Sequence, residues 1–136
     1  MRILLDSHVF VWAKCAPENL SDDARAALID PANDVFVSVA SAWELWIKHA
    51  RKPLKELAQV LNAGAAGFLH AARESGVELL DITLEHAAAA AAAALPPVHR
   101  DPFDRMIVGQ GIVDRMTVMT SDPIFKRYKA VRLLDA

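Results

Sequence analysis

Short apolar runs alternate with stretches of helical period along the whole of this chain. Arg2 to Leu5 ends at Asp6 and reads as a buried strand, and Asp34 to Ser38, with Val35-Phe36-Val37 at its centre, reads as a second. Val77 to Leu80 makes a third, Met116 to Thr120 a fourth, and Val131 to Leu134 offers a fifth. Between the first two, Val9, Trp12, Ala13 and Ala16 recur at helical spacing, so a helix is predicted just after Asp6, stopping before Pro17. Ser21 followed by Asp22 and Asp23 is an N-cap with first-turn acids and predicts a helix to about Ile29, ended by Asp30-Pro31. Ala40 to Ala50 is helical by period, with Trp43, Trp46, Ile47 and Ala50 on one apolar face, and Pro53 closes it.

Leu54 to about Ser75 is helical again, with breaks expected at Gly64 and Gly67 and a C-cap at Gly76. Thr83 caps a helix carrying the alanine run Ala87 to Ala94, stopped by Pro96-Pro97 and read as a small-residue packing face. Asp101-Pro102 opens a helix through about Asp114, since proline suits the first helical position, and Ser121-Asp122-Pro123 starts a short one near Phe125. Parallel neighbours need crossover connections and these helices supply them. The expected fold class is therefore an α/β sandwich around a mostly parallel sheet of four to five strands.

Composition narrows the picture further. The 136 residues suit one domain, 1–136, and 54% hydrophobic against 24% charged residues is the balance of a packed protein rather than a disordered one. Cys15 is the single cysteine, so no internal disulfide or cysteine-cluster metal site is expected, and it reads as a small buried hydrophobe in a reducing compartment. The first apolar run is interrupted by Asp6, and no segment reaches the roughly 20 apolar residues of a membrane span, so a cytoplasmic protein without a membrane partner is expected. The net charge of -2 does not by itself suggest nucleic acid, but its distribution is uneven. Lys48, His49, Arg51, Lys52 and Lys55 contain no acid among them, and Lys126, Arg127, Lys129 and Arg132 form a second basic group. Such clusters are commonly solvated faces.

In parallel α/β sheets, ligands bind beyond the carboxyl ends of the strands. Asp6 ends the first strand, Asp122 follows the fourth, Glu44 lies on the helix after the second, and Asp104 opens the helix leading into the fourth. These acids are expected to converge on one crevice. Each also has a purely structural use: Asp6 and Asp122 can cap helices, and Asp101 can cap with Asp104 reciprocating. Glu44 stands three residues after Ser41, the spacing of a capping box, and four before Lys48. Carboxylates sharing a cleft repel unless a cation neutralises them, and magnesium or manganese suits an all-oxygen set. His8, His49, His70, His86 and His99 show no HExxH pattern and there is no thiol pair, which argues against zinc.

The segments Ile3-Leu4-Leu5-Asp6-Ser7-His8, Val37 to Leu45, His99 to Ile107 and Thr120-Ser121-Asp122 resemble, in order and spacing, the motifs of PIN-domain ribonucleases, and most closely the VapC-type toxins of bacterial toxin-antitoxin pairs. The resemblance covers essentially the whole chain. It implies a PIN-like three-layer α/β/α sandwich and a Mg2+- or Mn2+-dependent endoribonuclease acting on structured RNA, tRNA or rRNA. It also implies a cognate antitoxin and a homodimer. By position it makes Asp6, Glu44, Asp104 and Asp122 the catalytic, metal-binding set, matches Ser7 and Ser121 to hydrogen-bonding positions, and leaves Asp101 as a helix cap that is also a plausible supporting or alternative ligand. Beside Glu44, Lys48, Arg51 and Lys52 then become a phosphate-steering patch, giving affinity without sequence choice. Trp43 and Trp46 are expected in core or partner contacts rather than in base stacking. Two other readings stand beside this one: a PIN-like RNA- or protein-binding module without catalysis, and a phosphotransferase or phosphatase using Asp6 as nucleophile. Against the latter, His8 occupies the position where one common phosphatase pattern has an aspartate, and no glycine-rich phosphate loop follows the first strand.

Overall fold

The computed structural model describes residues 1–92 and 101–136. Five strands, β1 (Arg2–Leu5), β2 (Asp34–Ser38), β3 (Val77–Leu80), β4 (Thr117–Thr120) and β5 (Arg132–Asp135), form one sheet in the order β3-β2-β1-β4-β5, with every neighbouring pair parallel. The helices are α1 (Ser7–Cys15), α2 (Asp22–Ile29), α3 (Val39–Arg51), α4 (Ala58–Asn62), α5 (Gly64–Glu74), α6 (Leu84–Ala91) and α7 (Pro102–Val113), with 3-10 turns at Pro17–Asn19, Lys55–Leu57 and Pro123–Arg127.

Alternate residues of one strand enter different cores, which explains why the strands read as unbroken apolar runs. Ile3 and Leu5 pack with Val35, Val37, Phe10 and Phe68 on the face covered by α1 to α5. Leu4 packs with Val118, Ile107, Val108 and Phe125 on the face covered by α7 and the Pro123–Arg127 turn. The result is a three-layer α/β/α sandwich whose sheet is wholly parallel. Cys15 is half-buried, its thiol pushed up by that burial and then by Glu56, in keeping with an unreactive packing role.

The stretch from Leu54 to Ser75 departs from the expected pattern at one glycine. The break falls at Gly64, where φ is +67°, a backbone that side chains with a Cβ rarely adopt. Gly67 instead continues α5 and permits a close approach, since a Cβ there would lie 2.7 Å from the Val60 carbonyl oxygen. The alanine helix runs to Ala91; Ala93, Ala94, its expected stop at Pro96-Pro97, and His99 and Arg100 lie outside the described residues.

The small-residue character of α6 has a counterpart in Gly109 on α7. A Cβ on Gly109 would meet the Ala90 backbone nitrogen at 2.8 Å and the His86 carbonyl oxygen at 2.9 Å. Backbone atoms cannot step aside as a flexible side chain does. Gly109→Ala should therefore lower stability by about 1–3 kcal/mol through overpacking, read as a fall in the urea midpoint; an unchanged midpoint would contradict this contact.

Candidate metal centre

The chain leaves β1 for β2 on one side and β4 for β5 on the other, so the order of connections reverses between the carboxyl ends of β1 and β4. Open parallel sheets place their ligand crevices at such points. Asp6 is the first residue beyond β1, only 3% exposed, and its N–H donates to the Met119 carbonyl at 3.0 Å. One carboxylate oxygen, Oδ1, accepts the Ser7 N–H at 2.6 Å, capping α1, and Oδ2 accepts the Thr120 hydroxyl at 2.9 Å.

Thr120 was quoted in the sequence motif without a role. Its register explains one: Leu5 lies opposite Met119, so Asp6 and Thr120 follow side by side at the strand ends. The same hydroxyl accepts the Asp122 N–H at 3.0 Å, and Asp122 in turn caps the last 3-10 turn by accepting the Ile124 N–H at 3.0 Å. Thr120 thus holds both strand-end acids. By contrast Ser121 is exposed and its side chain makes no hydrogen bond among the described residues. Thr120→Val keeps the shape but removes both bonds. It should lose about 1–3 kcal/mol of stability and weaken divalent-metal binding by about 10–100-fold, while Thr120→Ser restores the binding. Wild-type metal affinity in Thr120→Val would show that the hydroxyl positions nothing.

The helices bring the remaining acids. Ser38 caps α3, its hydroxyl accepting the Ala40 N–H at 3.0 Å, so Ser41 lies inside the helix and the Ser41-Glu44 capping box does not form. Glu44 is 5% exposed, one turn along from Ser41, with Oε2 3.6 Å from the Lys48 ammonium. The apolar face expected on α3 is also rotated: Ser41, Ala42, Glu44 and Leu45 are buried, whereas Trp43 is 59% exposed, set edge-on to Phe103. Only Trp46 of the pair joins the core, its indole N–H donating to the Leu61 carbonyl at 3.1 Å. The inward edge of this helix carries Glu44.

Asp101 caps α7 as expected, Oδ1 accepting the N–H groups of Phe103 at 2.9 Å and Asp104 at 3.2 Å. Carboxylate oxygens of Glu44, Asp101 and Asp104 lie within 4.8 Å of one another. Asp101 therefore caps and also stands in the cluster. Asp6 and Asp122 are not in that close group; they lie at the strand ends, near enough for their charges to act on Asp104. Asp104 is pushed up to about 8, first by burial and then by Asp101, Asp6, Glu44 and Asp122. Asp6 is also raised, chiefly by burial with Glu44 adding, against the opposing bonds from Thr120 and Ser7. So many carboxylates in one cleft cannot all be ionised without a cation. Their all-oxygen donor set fits a hard divalent ion such as Mg2+ or Mn2+ and offers nothing to favour a soft one.

Lys48 also lines a shallow hollow with Arg51, Lys52, Pro53 and Leu54, which places the predicted basic patch directly beside Glu44. The second basic group is exposed, with Lys126 3.8 Å from Asp135. A separate apolar hollow of about 460 Å³, lined by Ala13, Leu20, Leu28, Val35 and Val77, lies towards the other end of the strands and contains none of these acids.

The PIN domain family profile matches residues 3–131. The chain belongs to the PIN domain family. Solved structures agree in fold: this PIN domain matches VapBC2 from Rickettsia felis, bound to a DNA fragment from their promoter, with a TM-score of 0.70 at 19% identity over 99% of this chain and 98% of that one. DNA-bound VapBC from Salmonella typhimurium gives 0.69 at 21% identity, and VapBC-1 from nontypeable Haemophilus influenzae 0.67 at 16%, each over 99% of this chain and 98% of the other. A search of curated protein sequences finds no match. Among the described residues, no helix is long and apolar enough to cross a membrane.

Proposed function

We propose that this PIN domain, residues 1–136 as one unit, is a Mg2+-dependent endoribonuclease of the cytoplasm, with Mn2+ able to substitute, and that it cleaves structured RNA such as tRNA or rRNA as the toxin of a toxin-antitoxin pair. The observation that carries the reading is the group of carboxylates from Glu44, Asp101 and Asp104, within 4.8 Å of one another at the carboxyl edge of the sheet of a PIN domain. Asp6, Glu44, Asp104 and Asp122 would hold the ion; Glu44 and Asp104 belong to the close carboxylate group, which Asp101 joins while also capping α7. A divalent ion so held would polarise a phosphodiester and lower the pKa of a bound water.

The chain's own residues do the rest. Thr120 and the Ser7 N–H hold Asp6 in place, and Asp104 would release its proton once a cation offset the charge of its neighbours. Ser7 and Ser121 border these acids in sequence and stand as supporting positions. Lys48, Arg51 and Lys52 would draw the RNA backbone toward the acids by charge alone. A cognate antitoxin and a homodimer belong to the same reading. They are supported by the VapBC complexes among the matching folds and by Trp43 and Ile47, exposed one turn apart on α3.

Purified protein incubated with structured RNA and Mg2+ should yield discrete fragments, lose that activity in EDTA and regain it when Mg2+ is restored. Failure to cut any structured RNA with Mg2+ or Mn2+, or cutting that survives exhaustive chelation, would overturn the reading.

A further inference from the structure

We propose that a basic hollow at the amino edge of the sheet, between the end of α7 and the start of β5, binds one phosphate group of the RNA backbone at a distance from the acids. The proposal rests on the nuclease reading and adds to it a second point of contact with the substrate. The hollow, about 150 Å³, is lined by Gly111, Ile112, Arg115, Met116, Ala130 and Arg132, so two guanidinium groups and no carboxylate border it. That volume has room for one phosphate group and bound water. Lys129 is exposed in the turn just before Ala130. Lys129 and Arg132 belong to the second basic group of the sequence, which the metal centre leaves unused.

The backbone at Arg115 gives the hollow its meaning. After α7 the Met116 N–H donates to the Gly111 carbonyl at 2.9 Å and the Arg115 N–H to the Ile112 carbonyl at 3.4 Å, a Schellman turn whose left-handed residue is usually glycine. Here it is Arg115, with φ +54°, the one non-glycine residue of positive φ among the described residues. A side chain at that φ costs free energy that glycine would avoid, and such strain persists where the side chain has a use. Arg2 ties the turn to β1, donating to the Asp114 carbonyl at 2.9 Å and standing over the Phe36 ring. The side chains of Arg115 and Arg132, by contrast, have no hydrogen-bond or ion-pair partner among the described residues. Asp114, the acid next to Arg115 in sequence, is engaged by His86, with Nε2 2.9 Å from Oδ2. Two unpartnered guanidinium groups on one hollow offer forked N–H donors that match phosphate oxygens. The place of the hollow favours a backbone phosphate over a free anion. Arg115 and Thr120 lie at opposite ends of β4, whose 4 residues span about 13 Å. Acids and hollow are therefore several nucleotides apart, and with the basic hollow beside Glu44 they give a folded RNA contacts at both edges of the sheet.

The test uses the full chain carrying Asp104→Asn, so that RNA survives, with Mg2+ present. Binding of a fluorescent hairpin RNA is followed by anisotropy over a range of salt concentrations. Arg115→Gly together with Arg132→Gln should weaken binding by about tenfold and make the slope of log affinity against log salt shallower by about one, the loss of a single phosphate contact. Arg73→Gln, which removes a cation beside Glu78 on another face, should leave the slope unchanged. A trinucleotide too short to reach from the acids to the hollow should bind the parent and the double variant alike. Arg115→Gly alone should melt no lower than the parent, because glycine adopts the turn freely. An unchanged slope in the double variant, an equal loss of slope in Arg73→Gln, or a lower melting temperature in Arg115→Gly with RNA binding intact would overturn the proposal. So would inorganic phosphate that raises the melting temperature of the parent and not of the double variant while both bind the hairpin equally, because the hollow would then serve a free anion. If wild type cleaves RNA while the slope stays the same in the double variant, the proposed contact fails and the nuclease reading stands; absence of both cleavage and RNA binding removes both.

Discussion

Asp104→Ala is expected to lower RNA cleavage by about ten-thousandfold, the scale on which losing one member of a set that acts together is felt, and to leave the protein at least as stable as wild type. The two halves have one cause. Asp104 is the acid on which burial and the repulsion of Asp101, Asp6, Glu44 and Asp122 are concentrated, so removing its carboxyl should relieve the metal-free fold while taking away a proposed ligand. Asp101→Ala provides the contrast. Its carboxylate accepts two N–H groups at the start of α7, and losing that cap should lower stability by about 1 kcal/mol. Adjacent acids on one helix end should therefore separate in sign when melting temperature and cleavage are measured on the same preparations. Cleavage by Asp104→Ala at the wild-type rate would refute the site.

Raising the pH should destabilise the metal-free protein, the reverse of the behaviour given by paired carboxylates. Asp104 has an ordinary value of 3.8 and rises to about 8 in the fold, so between these values the native state holds a proton that the unfolded chain has released. Stability then falls with pH: this contribution is intact below about pH 4 and lost progressively towards about pH 8. Asp6, also raised, acts in the same direction. In EDTA the melting temperature should decline from about pH 5 to about pH 8, Mg2+ should flatten the decline, and Asp104→Asn should flatten it without metal. A metal-free profile that is level or rising would contradict the electrostatic account.

Much of this was legible in the residues because capping chemistry is local. Asp6, Ser21, Thr83, Asp101 and Asp122 each stand immediately before a helical stretch, and each caps one. Strands separated by helices led to a mostly parallel sheet, and every strand pair in it is parallel. What stayed hidden depended on pairing between distant segments. Until β4 is known to lie beside β1, nothing brings Thr120 opposite Asp6, and the family resemblance points to Ser121 rather than to Thr120.

The misreading of α3 has a different origin. Apolar periodicity points to Trp43, Trp46 and Ile47, but the face turned inward carries Ser41 and Glu44, because a ligand site requires polar groups where packing alone would place apolar ones. The two glycines in the Leu54 to Ser75 region make the same point on a smaller scale. Gly64 is needed for its positive φ and ends a helix, whereas Gly67 is needed for close approach and does not, a distinction invisible in residue type.

The central claim is that acids from β1, α3, α7 and the end of β4 share one divalent ion. Titration of Mn2+ into the metal-free protein, followed by electron paramagnetic resonance, tests it without reference to any substrate. Wild type should bind Mn2+ saturably, and Asp6→Asn, Glu44→Gln, Asp104→Asn and Asp122→Asn should each weaken that binding by about tenfold or more. Equal affinity in all five proteins, or no binding by wild type, would contradict the account.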